Sequence, residues 1–163
     1  DGSMVGDVGF DPLGISTTIT DLGGDLTYVR ESELTHGRIA MLASAGFLTT
    51  EFFHLPGPVY GPVSSRAMEA QFQIPLSAWA QIGVFVAITE GLRSQIIYKE
   101  GHVPGDHGFD PLGFKGKFCS TPEAYKTMQL KELKNGRLAM MAFAGMVAQG
   151  LVTGKGPIEQ LFS

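Results

Sequence analysis

Glu33-Leu34-Thr35-His36-Gly37-Arg38-Ile39-Ala40-Met41-Leu42-Ala43-Ser44-Ala45-Gly46 decides how this chain is read, because the chain contains it twice. The second copy is Glu132-Leu133-Lys134-Asn135-Gly136-Arg137-Leu138-Ala139-Met140-Met141-Ala142-Phe143-Ala144-Gly145, with nine of fourteen positions identical at an offset of 99. Upstream, Gly9-Phe10-Asp11-Pro12-Leu13-Gly14 recurs as Gly108-Phe109-Asp110-Pro111-Leu112-Gly113 at the same offset. Two separate motifs sharing one offset mark an internal duplication, with repeats at 9–53 and 108–152 inside a single domain of 163 residues.

Working outward, residues 27 to 53 lack proline and favour one helix of about 40 Å. Its purely apolar part, from Ile39, is shorter than the roughly 20 residues of a membrane span. The span is complete only if Glu33, His36 and Arg38 are satisfied at membrane depth. A middle apolar segment runs from about 75 to 97 and carries Gln81, Glu90 and Arg93. Thr121-Pro122-Glu123 starts a third helix with an N-cap, a proline at the first position and an acid in the first turn, and Gly154 is placed to stop it. Residues 1 to 26 read as turns and extended segments, with Gly14 free to take positive φ, and 98–120 as a loop. Residues 54 to 74 form a Pro/Gly-rich connector with one helical turn near 66–72, and 157–162 form a short amphipathic turn. Residues 1–11 show no signal-peptide pattern. The expected fold is therefore an all-α membrane protein of three transmembrane helices plus a short amphipathic helix.

The charges support insertion. Arg30, Arg93, Lys99, Lys115, Lys117, Lys126, Lys131 and Lys134 fall on the side of the N-terminus, against Arg66 and Lys155 on the other. This places the N-terminus on the positive-inside face. The net charge of -4 offers no basic surface for nucleic acid, and Cys119 alone excludes an internal disulfide.

At 3.6 residues per turn, Glu33 and His36 lie about 60° apart, whereas Arg38 lies about 140° from Glu33. Arg38 is thus no natural partner for its own helix's glutamate. If the repeats cross about a local two-fold axis, Glu33 meets Arg137 and Glu132 meets Arg38, and Gly37 and Gly136 let the backbones approach. A charge at membrane depth costs at least about 2.5 to 3.5 kcal/mol, so such residues need pairing or function. A neutralised carboxylate can still offer a lone pair to a metal, as can His36 and its twin Asn135. Single-point ligands of this kind suit a metal that brings most of its own coordination shell, such as the magnesium of a macrocycle.

These motifs, joined by Glu90-Gly91-Leu92-Arg93, resemble the chlorophyll-binding light-harvesting antenna proteins of plastids over nearly the whole chain. The resemblance implies a multi-pass thylakoid protein with a stromal N-terminus, whose first and third spans cross and are locked by the Glu/Arg pairs. It implies chlorophyll magnesium ligands at Glu33, His36, Glu90, Glu132, Asn135 and Gln149, with Arg93 the intrahelical partner of Glu90. Gln81 lies one residue from the spacing at which plant members place a glutamine ligand. No histidine follows Gln149, and Ile39 and Leu138 stand where plant members often have Trp. That last difference, with the doubled Phe-Asp-Pro-Leu-Gly, resembles the red-lineage branch, which binds chlorophyll a, commonly chlorophyll c, and carotenoids such as fucoxanthin, peridinin or related xanthophylls. Met41, Met140 and Met141 are suited to carotenoid grooves as well as to helix packing. His54, His102 and His107 are expected to be exposed or ordinarily hydrogen-bonded. The implied partners are a photosystem core, photosystem I favoured over photosystem II, neighbouring antenna subunits and thylakoid lipids.

Two rival functions follow from other features. A photoprotective relative would dissipate excitation, although the many ligands favour harvesting. Glu-x-x-His on a helix also marks di-iron carboxylate bundles, but those need a second Glu-x-x-His where this chain has Asn135, and a fourth helix. No nucleophile–base set or phosphate-cradling loop signals an enzyme.

Overall fold

Asp25 and Thr121 begin the two helices that carry the repeats. The Asp25 carboxylate accepts the Thr27 N–H at 2.8 Å, and the Thr121 hydroxyl accepts the Ala124 N–H at 3.2 Å, each satisfying a donor that the first helical turn leaves open. In the computed structural model, which describes residues 4–53, 56 and 63–162, these helices are α2 (Leu26–Phe52) and α6 (Pro122–Thr153). Gly154, in the left-handed conformation at φ 65°, ends α6. Between them stand α3 (Ala67–Gln73), α4 (Leu76–Ile97) and α5 (Phe114–Phe118). Helix α1 (Ile15–Asp21) precedes α2, and α7 (Pro157–Leu161) closes the chain. The described residues are mostly helical and contain no strand.

Helices α2 and α6 cross at their glycines. A Cβ added to Gly37 would sit 3.0 Å from the Gly136 Cα, and one added to Gly136 would sit 3.1 Å from the Gly37 Cα. Only hydrogen fits on either side, so the crossing point is set by these two residues. Ala40, Leu133 and Ala139 are buried around it, and the Ser44 hydroxyl donates to the Ala139 carbonyl across it at 3.4 Å. Phe47 and Phe143 meet edge to face further along, with centroids 5.3 Å apart.

The long helices otherwise turn their apolar side chains outward. Phe85 is 67% exposed, Leu138 69% and Met141 75%, a pattern that a water-soluble monomer does not sustain over whole helices. No Cα of α4 comes within 8 Å of a Cα in α2 or α6, so the middle helix stands clear of the crossed pair at backbone level. Taken alone, only α6 is long and apolar enough to cross a membrane among the described residues. Helices α3 and α4 meet that measure jointly, with a 106° bend between them. Helix α2 falls short because Glu33, His36 and Arg38 occupy its first half.

Two segments expected as turns, extended chain or loop contain helices. Each Asp-Pro-Leu-Gly motif is a tight turn whose glycine, Gly14 at φ 62° and Gly113 at φ 66°, directly precedes a short helix. The cause lies in the aspartates. Asp11 accepts the N–H groups of Ile15 and Ser16 at 3.0 and 2.8 Å, and Asp110 accepts those of Phe114 and Lys115 at 2.9 and 2.8 Å. A carboxylate that satisfies two first-turn donors nucleates a helix despite the Thr and Gly that follow. The connector helix lies at 67–73, close to its expected turn, and the final turn at 157–161 is helical. His54 lies outside the described residues.

Two outcomes follow. Gly136→Leu should force the helices apart against the Gly37 backbone, costing about 1 to 3 kcal/mol or more, seen as a lower thermal midpoint of the refolded protein. The backbone N–H groups of Lys115 and Phe114 hold the Asp110 carboxyl below its ordinary value of 3.8, so its stabilisation is complete above that value and fades as pH falls through the lower folded one. Asp110→Asn should therefore be less stable than wild type at pH 7, with the difference shrinking in strong acid.

Candidate functional site

The crossing assembles both repeats into one charged layer. Arg38 Nε donates to Glu132 Oε1 at 2.7 Å, and Arg137 Nε donates to Glu33 Oε1 at 2.7 Å. Each arginine has a second partner, and these too are related by the offset of 99: Arg38 Nη2 donates to the Gly105 carbonyl at 2.8 Å and Arg137 Nη1 to the Gly6 carbonyl at 3.4 Å. A Cβ on Gly6 would strike Leu133, and one on Gly105 would strike Leu34, both at 2.6 Å. Each repeat's leading loop thus straps the other repeat's helix. The sequence signal for these straps is Gly6-Asp7 and Gly105-Asp106, which extend the duplication upstream of the motif first recognised.

The two glutamates differ in what they have left to give. Glu132 Oε2 accepts no hydrogen bond among the described residues. Glu33 Oε2 is held by Arg30 Nη1 at 2.8 Å, whereas the residue matching Arg30 in the second repeat is Gln129. Arg30 was not foreseen as part of the site.

His36 and Asn135 are exposed and oriented by matching bonds one turn back. The His36 Nδ1 lies 2.7 Å from the Ser32 carbonyl. A carbonyl can only accept, so Nδ1 carries the proton and Nε2 keeps its lone pair. The Asn135 Nδ2 donates to the Lys131 carbonyl at 2.8 Å, leaving Oδ1 without a partner among the described residues. Ser32 and Lys131 are themselves related by 99. The duplicated helices therefore present one bare nitrogen and one bare oxygen at equivalent places, each held by a hydrogen bond of its own helix in the manner of a ligand oriented from behind.

On α4, Glu90 Oε2 accepts from Arg93 Nε and Nη2 at 3.1 Å, and the carboxylate is half exposed. Gln149 on α6 and Gln81 on α4 are exposed, and their side-chain amides make no hydrogen bond among the described residues. A cleft of about 620 Å³ opens between α2, α6 and the loop before α5, walled by Leu34, Val103, Phe114, Phe118, Met128 and Leu133. Lys115 at its edge is held by Asp106 at 2.6 Å, a bond that raises the lysine pKa and lowers that of the aspartate.

Sequence reasoning missed a buried carboxylate. Glu31, 2% exposed, accepts from Gly105 N at 2.6 Å, His107 Nε2 at 2.7 Å, His102 Nε2 at 3.2 Å and Arg93 Nη1 at 3.4 Å. Expected as exposed or ordinarily hydrogen-bonded loop residues, His102 and His107 are hydrogen-bonded here to this carboxylate. In the other repeat Glu31's place is taken by Leu130, which packs against Gly6, so no duplication signal pointed to it.

Residues 1–151 match the family model described as Chlorophyll A-B binding protein. The chain is 42% identical over 154 residues to a fucoxanthin-chlorophyll a-c binding protein of Chattonella marina var. antiqua, covering 92% of this chain and 67% of that one. It is 40% identical to light-harvesting complex stress-related protein 1 of Chlamydomonas reinhardtii, covering 88% and 60%, and 34% identical to photosystem I chlorophyll a/b-binding protein 3-1 of Arabidopsis thaliana, covering 99% and 69%. The chain thus spans roughly two thirds of the length of these relatives.

The unequal glutamates set an expectation. Arg38→Leu leaves Glu132 with no cation, whereas Arg137→Leu leaves Glu33 with Arg30. The first variant should therefore lose more stability than the second, by about 2 to 3 kcal/mol on membrane-insertion scales, when thermal unfolding is compared in one detergent.

Proposed function

Since the chain belongs to the chlorophyll A-B binding protein family, we propose that it is a light-harvesting antenna subunit of the plastid thylakoid membrane, holding chlorophylls and carotenoids and passing excitation to a photosystem. The single observation that carries this is the pair of bare donors, His36 Nε2 and Asn135 Oδ1, presented at matching points of two helices whose glutamates are neutralised across the crossing. These two residues would hold a magnesium that brings most of its own coordination shell and needs no enclosing cage. A bound chlorophyll would supply light absorption and dipole coupling to its neighbours.

The chain's own part is positioning. His36, Asn135, Glu132 and Glu90 each have an atom free to ligate, Glu33 would share its oxygens with Arg137 and Arg30, and Gln149 and Gln81 extend the set along α6 and α4. Fixed ligands on rigid helices hold separations and orientations constant, which is what transfer of excitation requires. The outward apolar side chains and the stand-off of α4 leave the surface and space that pigments and lipid would cover. On this reading α2, α4 and α6 all cross the membrane, with the N-terminus on the stromal side, where the basic residues collect. The cleft beside the second Asp-Pro-Leu-Gly turn has the apolar walls and polar edge suited to the end group of an oxygenated carotenoid. The likeness to a fucoxanthin-chlorophyll a-c binding protein supports chlorophyll a with chlorophyll c and a fucoxanthin-type xanthophyll, and that to a photosystem I protein supports photosystem I as the acceptor.

Likeness to a stress-related light-harvesting protein favours a second reading, dissipation of excitation. The fluorescence lifetime of the isolated complex at neutral pH separates the two: a long lifetime is expected for the antenna, a short one for the quencher. His36→Leu should remove one chlorophyll and leave the fold intact, whereas Glu33→Leu should also strand Arg137 and impair assembly. Equal chlorophyll per polypeptide in wild type and both variants would refute the ligand assignment.

A further inference from the structure

Glu31, His102 and His107 bring three potential ligand atoms within 4.8 Å of one another, the grouping of a divalent-cation site. Arg38 argues for a different use. Its Nη1 lies 3.4 Å from His107 Nδ1, and a guanidinium only donates, so Nδ1 holds a lone pair and the proton sits on Nε2, facing Glu31. A metal would need that nitrogen bare, and it would have to displace the Arg93 cation, 3.4 Å from the same carboxylate.

The hydrogen bonds instead link these groups into one unbroken path. Arg93 of α4 binds Glu90 at 3.1 Å and, through Nη1, reaches Glu31 at 3.4 Å and the Thr35 hydroxyl at 2.6 Å. Glu31 accepts from His107, whose other nitrogen accepts from Arg38, and Arg38 binds Glu132. The path runs Glu90, Arg93, Glu31, His107, Arg38, Glu132, beginning and ending on a carboxylate with one oxygen to spare. Through Arg93, Glu31 and Thr35 hold α4, which no helix backbone approaches, to α2.

We propose that Glu31 and His107 are positioning residues that couple the Glu90 and Glu132 ligand sites, so that neither carboxylate keeps its ligating geometry without the other's support. This rests on the reading of Glu90 and Glu132 as chlorophyll ligands. The coupling is one-sided: Leu130 and Val8 occupy the places of Glu31 and His107 in the other repeat, so the Glu33–Arg137 pair has no such path.

The test refolds the chain of residues 1–163 with limiting chlorophyll a and fucoxanthin, and reads chlorophyll per polypeptide and absorption difference spectra. Glu90→Gln, Glu132→Gln and His36→Leu first define the bands of their own sites. His107→Phe should lose the Glu90 and Glu132 bands together, through affinity about tenfold weaker at each, as for removal of outer-shell partners, and keep the His36 band. His107→Gln, with one amide donor and one carbonyl acceptor, should restore both. A spectrum like wild type, loss at one site only, or uniform loss at all sites would overturn the coupling. Should His107→Phe form no complex, Glu31→Gln decides alone on the same bands. If Glu90→Gln and Glu132→Gln themselves remove no band, the ligand reading fails; if they do and His107→Phe does not, only the relay fails.

Discussion

The structure depends on two arginines that cannot reach the glutamates of their own helices. Placed about 140° around from Glu33, Arg38 has to find its carboxylate elsewhere, and the duplication supplies one on the partner helix. The reciprocal bonds of 2.7 Å hold α2 and α6 at one crossing, and the Gly37–Gly136 contact allows no other approach as close. This pairing neutralises four charges while leaving lone pairs on the carboxylates. The same bonds that hold the scaffold together therefore fix the carboxylates proposed as ligands.

Duplication supplies the frame and departures from it give each half its character. His36 and Asn135 keep one function, a bare donor fixed by a carbonyl one turn back, with different atoms. Arg30 against Gln129 makes one glutamate more encumbered than its twin. Glu31 against Leu130 places a buried carboxylate in one half and a plain apolar contact in the other, and among the described residues the first half bonds to the middle helix through Arg93.

Much of this was legible in the sequence because it follows from periodicity. The three long helices, the start at Thr121 and the stop at Gly154 rest on local rules, and the crossed pairing rests on angles around a helix. Helices α1 and α5 were not legible: their Gly and Thr content speaks for turns, and only the paired hydrogen bonds of Asp11 and Asp110 overrule it. The Glu31 cluster was hidden for another reason. Its histidines lie 71 and 76 residues away, in a loop whose fold obeys no period, and no twin in the other repeat drew notice to it. The straps at Gly6 and Gly105 were within reach, since the offset of 99 already linked them, but their role needed the helix crossing to give it meaning.

The sequence separations of the ion pairs carry a consequence for how the chain is built. Arg38 and Glu132 are 94 residues apart, and Glu33 and Arg137 are 104 apart, with α4 wholly inside both loops. A growing chain therefore carries Arg38 and the middle helix before Glu132 exists, and Glu33, with only Arg30 beside it, before Arg137. Contacts of such long range close late, since loop entropy is lost before the contact repays it. Completion of the crossed pairs is tied to arrival of the last helix, and a chain stopped short of α6 can make the Glu31 cluster but neither ion pair between the repeats.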